Sequence, residues 1–226
     1  MARGINQFTV QKFVLKESPE LSYLLGVLKG DASLYKTTSK KNKDGSDYIL
    51  QLAAIDKDFV EFFNNVLEKI FSRKAKIIEY TLEGSHFYRV NLRAREFYKW
   101  YYSKTEEELF KIAEAFPASF IKGVFDSEGS SASVNRKHKN KAYSYYSIRI
   151  ISSNISLLGL INKWLKNYYE ISSKINKRMP RDSFIKGRKC NFIKDIYCLG
   201  IYKNDDITAF FRLIGTSIKR KSIKGG

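Results

Sequence analysis

The two halves of this chain repeat the same succession of residue patterns, and this duplication limits the possible folds more than any other feature. Pro19 begins an apolar helix that leads to Asp31 in the first half, and Pro117 begins a similar helix that leads to Glu128 in the second. Proline suits the first position of a helix, because the backbone N–H that it lacks would have no partner there. The duplication predicts two structurally equivalent halves.

The repeat continues after each carboxylate with the same order of elements. Apolar and polar residues alternate in Tyr48–Ala54 and again in Tyr145–Ile151, a pattern typical of strands with one buried face. A helix follows in each half, with Asp56 as the predicted cap in the first and Asn154 in the second. The carboxylate and the cap are 25 residues apart in the first half and 26 in the second.

Two further strands and a last helix complete each half. The strands are predicted at Lys76–Leu82 and Phe87–Leu92, and again at Ser172–Met179 and Phe192–Ile201. We therefore predict an α+β fold built from a duplicated αββαββα repeat. Its parts are an N-terminal extension (1–17), a first half (18–103), a helical connector (104–116), a second half (117–215) and a basic C-terminal tail (216–226).

Small residues recur four positions apart in both carboxylate-bearing helices. Gly26 and Gly30 form one pair and Gly123 and Ser127 the other, and the carboxylate follows the second small residue directly. Residues four apart lie on one helix face. Glycine costs about 1 kcal/mol inside a helix, and close packing of two helices is a structural reason to keep it. We expect these faces to pack together and to bring the two carboxylates side by side.

The paired carboxylates, Asp31 and Glu128, predict a metal site. Two adjacent carboxylates raise each other's pKa unless a cation lies between them, and Mg²⁺ prefers oxygen ligands of this kind. Such ions promote displacement at phosphorus by activating water and stabilising the leaving oxygen. We expect Mg²⁺ as the cofactor and Mn²⁺ as a substitute. Ca²⁺ should bind but should not support efficient cleavage of a bond to phosphorus, because its looser coordination positions water poorly.

The charge of the chain points to an anionic partner. Lys and Arg number 41 against 23 Asp and Glu, a net charge of +18 that disfavours a compact chain by self-repulsion. Nucleic acid is the partner that we expect, and the alternatives are an anionic membrane surface or a role in solubility alone. Together with the predicted metal site, the charge indicates a nuclease.

Other classes of protein are disfavoured by the sequence. It contains no apolar run of the roughly 20 residues that a membrane span needs, and it begins without the apolar segment of a secretory signal. Its two cysteines, Cys190 and Cys198, are too few for a disulfide framework or a four-ligand zinc site. We expect an intracellular protein, of a prokaryotic cytoplasm or an organelle, that needs no membrane.

Two nine-residue segments resemble the signature of a known family. Leu24–Ala32 (LLGVLKGDA) and Ile121–Gly129 (IKGVFDSEG) are similar to the two signature helices of single-chain LAGLIDADG homing endonucleases. Because the same order of strands and helices follows each segment, the resemblance extends over about residues 18–215.

This resemblance implies a specific function and site. It implies two antiparallel sheets that form a saddle over double-stranded DNA, and cleavage of both strands across the minor groove at a long asymmetric target, leaving 3′ overhangs. Asp31 and Glu128 are the implied catalytic metal ligands, helped by the backbone carbonyls of Gly30 and Ser127. Introns and inteins typically encode such enzymes. Since both repeats lie in one chain, we expect a monomer with no obligate protein partner.

The residues expected to contact DNA lie on the strands, with side chains directed away from the helices. Such side chains can reach base edges in the major groove, although a solvated sheet face is the alternative for each of them. The predicted contacts are Tyr35, Lys36, Thr38, Asp47, Gln51, Arg89, Asn91, Asn135, Arg136, Lys137, Tyr145, Ser147 and Arg149.

The chain departs from the family pattern at two places. An acid of the second signature helix, Asp126, is matched by Lys29 in the first. The family also often places Lys or Gln near the scissile phosphate, where this chain has Ala54 and Ile55, then Ser152 and Ser153, with Lys57 and Lys203 as nearby candidates. A nucleic-acid-binding relative that has lost cleavage, such as a splicing maturase, is therefore the alternative function.

Overall fold

Two equivalent halves joined by a short helix make up the structure, a computed structural model that describes residues 15–38, 45–138, 141–178, 183–185, 188–190 and 195–222. Side chains are described throughout these ranges except at 134–145 and 183–190. Residues 1–14 of the predicted N-terminal extension and residues 223–226 of the predicted basic tail lie outside the described residues.

The elements follow one another in the predicted order. The first half contains α1 (Pro19–Val27), β1 (Ser33–Thr38), β2 (Ser46–Ala54), α2 (Lys57–Phe71), β3 (Ile77–Leu82), β4 (Ser85–Arg93) and α3 (Arg95–Tyr102). The connector is α4 (Glu106–Ala113). The second half contains α5 (Pro117–Glu128), β5 (Gly129–His138), β6 (Lys141–Ser152), α6 (Ile155–Tyr169), β7 (Lys174–Arg178), β8 (Ser183–Ile185), β9 (Arg188–Cys190), β10 (Ile196–Ile201) and α7 (Asn204–Leu213). A 3₁₀ turn at Lys219–Lys221 follows.

Each half carries one four-stranded antiparallel sheet. The strand order is β1-β2-β4-β3 in the first half and β5-β6-β10-β7 in the second. In the sequence between β7 and β10, where no strands were predicted, β8 and β9 pair with each other as a separate two-stranded sheet. The predicted α+β fold with a duplicated αββαββα repeat is confirmed.

The strand register fixes which face of each sheet meets the helices. In the first sheet Leu34 lies opposite Leu50, which in turn lies opposite Leu92, and all three are buried. In the second sheet Ile148 and Ile150 are fully buried. Since side chains alternate between the faces of a strand, the residues between these positions are directed away from the helices, as the alternation predicted.

Capping side chains set the starts of several helices. Ser18 accepts a hydrogen bond from the Leu21 N–H at 3.1 Å, and Asn154 accepts one from the Leu157 N–H at 2.9 Å. These contacts satisfy N–H groups that have no partner inside the helix. Asp56 is the N-cap residue of α2, as predicted, but its carboxylate makes no capping hydrogen bond and binds Arg220 instead.

The helices α1 and α5 lie at the centre of the molecule. Every residue of α1 from Leu21 to Val27 is buried, and α1 packs against α5, α2 and α4. A helix that is apolar on all sides is suited to such a position. The sequence predicted Asp31 at the end of this helix. The helix ends earlier, at Val27, and Asp31 lies in the turn that follows.

Among the described residues, no helix combines the length and the apolar composition needed to cross a bilayer.

Candidate functional site

The backbones of α1 and α5 touch where the two helices cross, at Gly26 and Gly123. A Cβ on Gly26 would meet the carbonyl oxygen of Phe120, and a Cβ on Gly123 would meet that of Tyr23. The added atom would also lie 3.0 Å from a backbone nitrogen of the opposite helix in both cases. Only glycine leaves room for this crossing.

The second small residue of each pair brings the two acids to one place. A Cβ on Gly30 would lie 2.5 Å from the Cβ of Ser127 and 3.0 Å from the Glu128 Oε1. Asp31 follows Gly30 directly in the turn after α1, and Glu128 is the last residue of α5. The predicted interface residues thus lie at the helix contact, with the two carboxylates at its end.

The surroundings of the acids favour their protonated forms. Burial raises the pKa of Asp31, and the charge of Asp56 raises it further, while Lys221 opposes both effects. Burial likewise raises the pKa of Glu128, the charge of Asp31 adds to the effect, and Lys221 again lowers it. Both acids are therefore partly buried and subject to the charge of Lys221, and Asp31 is close enough to raise the pKa of Glu128.

The donors at this place fit a hard divalent cation. Such ions bind carboxylates and backbone carbonyls, and a cation between the acids would relieve the repulsion that raises their pKa values. Within the described residues, no three His, Cys, Asp or Glu side chains come together as a metal cluster. The residues of this site that could hold such an ion are Asp31 and Glu128, with carbonyls such as those predicted at Gly30 and Ser127.

Asp126, two residues before the second acid, is the centre of a buried hydrogen-bond network. Its side chain is 1% exposed and accepts a hydrogen bond from the Tyr23 hydroxyl of α1 at 2.9 Å. It also accepts bonds from the Thr216 hydroxyl at 2.5 Å and from the N–H and hydroxyl of Ser217 at 3.0 and 2.7 Å. Asp126 therefore joins both central helices to the end of the chain.

Lys29 takes the equivalent position in the first half and holds a different element. Its ammonium lies 2.7 Å from the Glu106 carboxylate at the start of α4 and 5.0 Å from the centre of the Phe110 ring. Lys29 therefore ties the connector to α1. The departure from the family pattern at this position has a structural role.

The residues after α7 return to the acid pair, and we name Thr216–Ser222 the C-terminal segment. The Lys221 ammonium donates hydrogen bonds to the carbonyl oxygens of Phe125 and Asp126, at 3.1 and 2.6 Å. Arg220 binds the Asp56 carboxylate through two nitrogens, at 2.5 and 2.6 Å. The segment thus places one cation, Lys221, where its charge acts on both acids, and a second, Arg220, on Asp56.

Sequence reasoning missed the C-terminal segment as part of the site. The sequence suggested Lys57 and Lys203 as basic groups near the acids. Among the described lysines, the one whose charge acts on both acids is Lys221. Lys57 pairs with Glu61 at 3.8 Å, and Lys203 is an exposed residue that precedes α7. The run of basic residues at 219–221 was the available signal, but its position in the fold cannot be read from it.

The outward face of the first sheet carries polar and aromatic side chains. The Tyr35 hydroxyl donates to Gln51 at 2.9 Å, and the Arg89 guanidinium lies 5.2 Å from the centre of the Tyr80 ring. Asn91 is exposed on the same face. The structure therefore brings together four of the predicted contacts. Asp47 lies beside them, paired with Arg93 at 3.3 Å, a residue that sequence reasoning did not include.

Two predicted contacts of the first half belong to the other face of the sheet. Lys36 lies opposite Tyr48 and Thr38 opposite Ser46, positions that share the face of the buried Leu50. The Lys36 ammonium lies 5.7 Å from the centre of the Tyr48 ring. The contacts predicted on β1 thus lie on both faces of the strand. Because side chains alternate between the faces, only one face can meet a given partner.

The second sheet differs from the sequence prediction at Ser147. This residue was expected to be accessible, but it is 1% exposed, on a strand, β6, that has β5 on one side and β10 on the other. Arg149 is partly exposed and pairs across the sheet with Gly200. The side chains of the remaining predicted contacts lie outside the described part of the structure: Asn135, Arg136, Lys137 and Tyr145.

Comparison with known proteins relates this fold to DNA-cutting enzymes. No family model matches the chain. The homing endonuclease I-DmoI of Desulfurococcus mucosus is 25% identical over 152 residues, which are 65% of this chain and 69% of that protein. The solved structure of I-DmoI in complex with DNA and Mn has a TM-score of 0.55 at 22% identity and covers 88% of this chain and 98% of that one. The meganuclease I-SmaMI, solved bound to uncleaveable DNA, gives a TM-score of 0.54 at 14% identity, covering 89% and 86%.

The fold is therefore that of the homing endonucleases, with a carboxylate pair at the contact between its two central helices. A more similar relative is the uncharacterized protein MJ0398 of Methanocaldococcus jannaschii, 35% identical over 221 residues, which are 96% of this chain and 74% of that protein. The chain belongs to the same protein family as MJ0398.

Proposed function

We propose that this protein is a site-specific, divalent-metal-dependent DNA endonuclease of the LAGLIDADG type. The observation that carries the proposal is the acid pair, Asp31 and Glu128, placed side by side by two glycine-packed helices between two sheets. A protein that only bound DNA would gain nothing from two carboxylates facing anionic phosphates. The likeness of the fold to I-DmoI and I-SmaMI supports the same conclusion.

In this proposal the chain's own residues hold the metal and the DNA. Asp31 and Glu128 bind the cation, helped by the carbonyls of Gly30 and Ser127. The bound cation supplies activation of water and stabilisation of the leaving oxygen at phosphorus. The tight crossing of α1 and α5 fixes the distance between the two acids, so that each strand of a duplex meets one of them.

The outward faces of the two sheets form the proposed DNA surface. Arg89, Arg93 and Arg149 provide positive charge on these faces, and Gln51 and Asn91 provide groups that recognise base edges. Two different sheets in one chain read two different half-sites, which favours a long asymmetric target. We propose cleavage across the minor groove with 3′ overhangs, an intracellular monomer, and an origin in a mobile intron or intein.

Cleavage of supercoiled plasmids that carry genomic fragments of the source organism tests the proposal. We expect nicked and linear products with Mg²⁺ or Mn²⁺, and none with EDTA. Asp31→Asn and Glu128→Gln remove a ligand charge but little volume, so both should bind DNA and fail to cut it. The matched control is Glu107→Gln, an exposed residue of α4 that should cut as the wild type does.

The outcomes separate nuclease from binding protein. Full cleavage by either acid variant in Mg²⁺ contradicts the metal assignment. Tight DNA or RNA binding without cleavage by the wild type under any metal would identify a nucleic-acid-binding relative, such as a splicing maturase.

A further inference from the structure

The C-terminal segment is built into the molecule and does not lie loosely on its surface. Ile218 is 1% exposed, and the Ser131 hydroxyl of β5 donates to the carbonyl of Lys221 at 2.6 Å. The Lys219 N–H donates to the Asp58 carboxylate of the first half at 2.7 Å. Asp126 of the second half binds the start of the segment. The C-terminal segment is therefore fixed to both halves.

Lys221 is the most unusual residue of the segment, since it is a lysine with only 5% of its surface exposed. Lysines are almost never buried to this extent unless a partner compensates the charge. Its two hydrogen bonds go to carbonyls in the last turn of α5, where the helix dipole favours a cation. Burial lowers its pKa and the charge of Arg220 lowers it further, while the charges of Asp126, Asp31 and Asp56 favour the ammonium.

Arg220 extends the same arrangement toward the first acid. Its guanidinium covers the carboxylate of Asp56, whose charge acts on Asp31. Bidentate pairs of this kind are the strongest ion pairs that side chains form. Arg220 therefore offsets part of the repulsion that Asp56 exerts on Asp31.

The first helix ends without a comparable lysine among the described residues. The carbonyls of Leu24, Gly26 and Val27 accept backbone N–H groups of the following turn, at 3.0 to 3.1 Å. Of the two central helices, α5 is thus the one whose last turn binds a side-chain cation within the described part of the chain. The segment makes the two sides of the acid pair unequal.

We propose that the C-terminal segment is a working part of the acid-pair site. Lys221 and Arg220 are positioning residues whose charges offset the neighbouring carboxylates before a divalent cation binds. They hold the two acids together in the metal-free protein and weaken its affinity for the cation. The inference rests on the proposed function, because it assigns the acid pair to a metal.

Titration of the metal-free, full-length protein with Mn²⁺ at pH 8, followed by the EPR signal of free Mn²⁺, tests the inference. Lys221→Met keeps the length of the side chain and removes its charge, so it should bind Mn²⁺ at least about fivefold more tightly. It should also melt at a lower temperature in EDTA and gain more stability from Mn²⁺ than the wild type does. Lys219→Met makes the same change at an exposed side chain and should match the wild type in affinity.

Arg220→Gln keeps the inference testable if Lys221→Met fails to fold, because Arg220 is exposed. It should tighten Mn²⁺ binding in the same direction, since it leaves Asp56 uncompensated. Wild-type affinity in a folded Lys221→Met protein, or in Arg220→Gln if that variant alone folds, overturns the inference. Asp31→Asn separates the two proposals: if it leaves Mn²⁺ binding unchanged, the metal assignment fails, and otherwise only the role of the segment is at stake.

Discussion

Gly26 of α1 and Gly123 of α5 lie against each other, and each faces a carbonyl oxygen of the opposite helix where a Cβ would be. The two contacts are equivalent, as expected for a duplicated unit. They leave no room for a Cβ between the two backbones, which ordinary side chains hold about 8–10 Å apart. The position of the acid pair therefore depends on two hydrogen atoms in place of two methyl groups.

Gly26→Ala and Gly123→Ala should each lower the free energy of unfolding, by about 2 kcal/mol or more, because the new methyl group overlaps backbone that cannot move aside. Urea denaturation measures the change. The matched control is Gly159→Ala in α6, where nothing lies within 4 Å of the added Cβ. That variant should be more stable by up to about 1 kcal/mol, from helix propensity alone. Equal effects at all three positions would contradict the close crossing.

Equivalent positions of the two helices should respond unequally to substitution. Asp126→Ala removes a buried carboxylate and leaves the hydroxyls of Tyr23, Thr216 and Ser217 without their acceptor, which should cost about 3 kcal/mol or more. Lys29→Met breaks a partly exposed pair with Glu106 and should cost about 1 kcal/mol or less. Measured free energies of unfolding of both variants check this order. A larger loss of stability in Lys29→Met than in Asp126→Ala would contradict the role of Asp126 as the main anchor of the two helices.

Much of the fold could be predicted because its signals are local and periodic. The alternation around Leu50 and Ile150 predicted the buried faces of both sheets. The four-residue spacing that begins at Gly26 and at Gly123 predicted the helix contact, because it depends on the helix period alone.

The rest depends on contacts between distant parts of the chain. Lys221 meets Asp126 across 95 residues, and no local pattern encodes that contact. The face on which Lys36 lies follows from the register of β1 against β2, which a single sequence leaves open. Ser147 is buried on a strand that lies between two others, and a single sequence does not give that strand order.

The stability of the metal-free protein should depend on pH through the acid pair. Because burial raises the pKa of Asp31 and of Glu128, the folded protein holds their protons more tightly than the unfolded chain does. The stability that this provides is complete below their ordinary pKa values of 3.8 and 4.5. It is lost as the pH rises through the raised values.

Asp31→Asn cannot ionise and relieves Glu128, so in EDTA it should gain stability relative to the wild type between pH 4 and pH 8. Thermal denaturation across this range measures the difference, which saturating Mg²⁺ should reduce or reverse. Glu107→Gln serves as the control for loss of an exposed acid. Plots of melting temperature against pH for wild type and Asp31→Asn that stay parallel over the whole range would contradict the raised pKa values of the acids.

DNA affinity should fall steeply with salt. The net charge of +18 and the arginines on the outward sheet faces predict several phosphate contacts in each half-site. Each such contact releases condensed counterions, so a plot of log affinity against log salt should have a slope of roughly −5 or steeper. Fluorescence anisotropy with a labelled duplex in Ca²⁺ measures it. A nearly flat dependence would point to a partner other than DNA.

The two acids lie in unequal surroundings, and this inequality should reach the chemistry. Lys221 binds the last turn of the helix that carries Glu128. Asp31 has Asp56 near it instead, whose charge raises the pKa of Asp31. The strand ends differ as well: the first half has Ala54 and Ile55, which cannot hydrogen-bond through their side chains, and the second has Ser152 and Ser153, whose hydroxyls can.

We expect the two DNA strands to be cut at different rates, so that a nicked intermediate accumulates. Groups that orient water or transfer a proton typically contribute 10²–10⁴-fold, and even a tenth of that difference separates the two cuts in time. A time course on a supercoiled plasmid with one target site measures the open-circular species before completion, and strand-specific end labels identify which cut comes first. Lys221→Met should change the ratio of the two rates, whereas Lys219→Met should not. Direct conversion to linear product, with no open-circular species at any time, would show that the two sides of the acid pair act as equals.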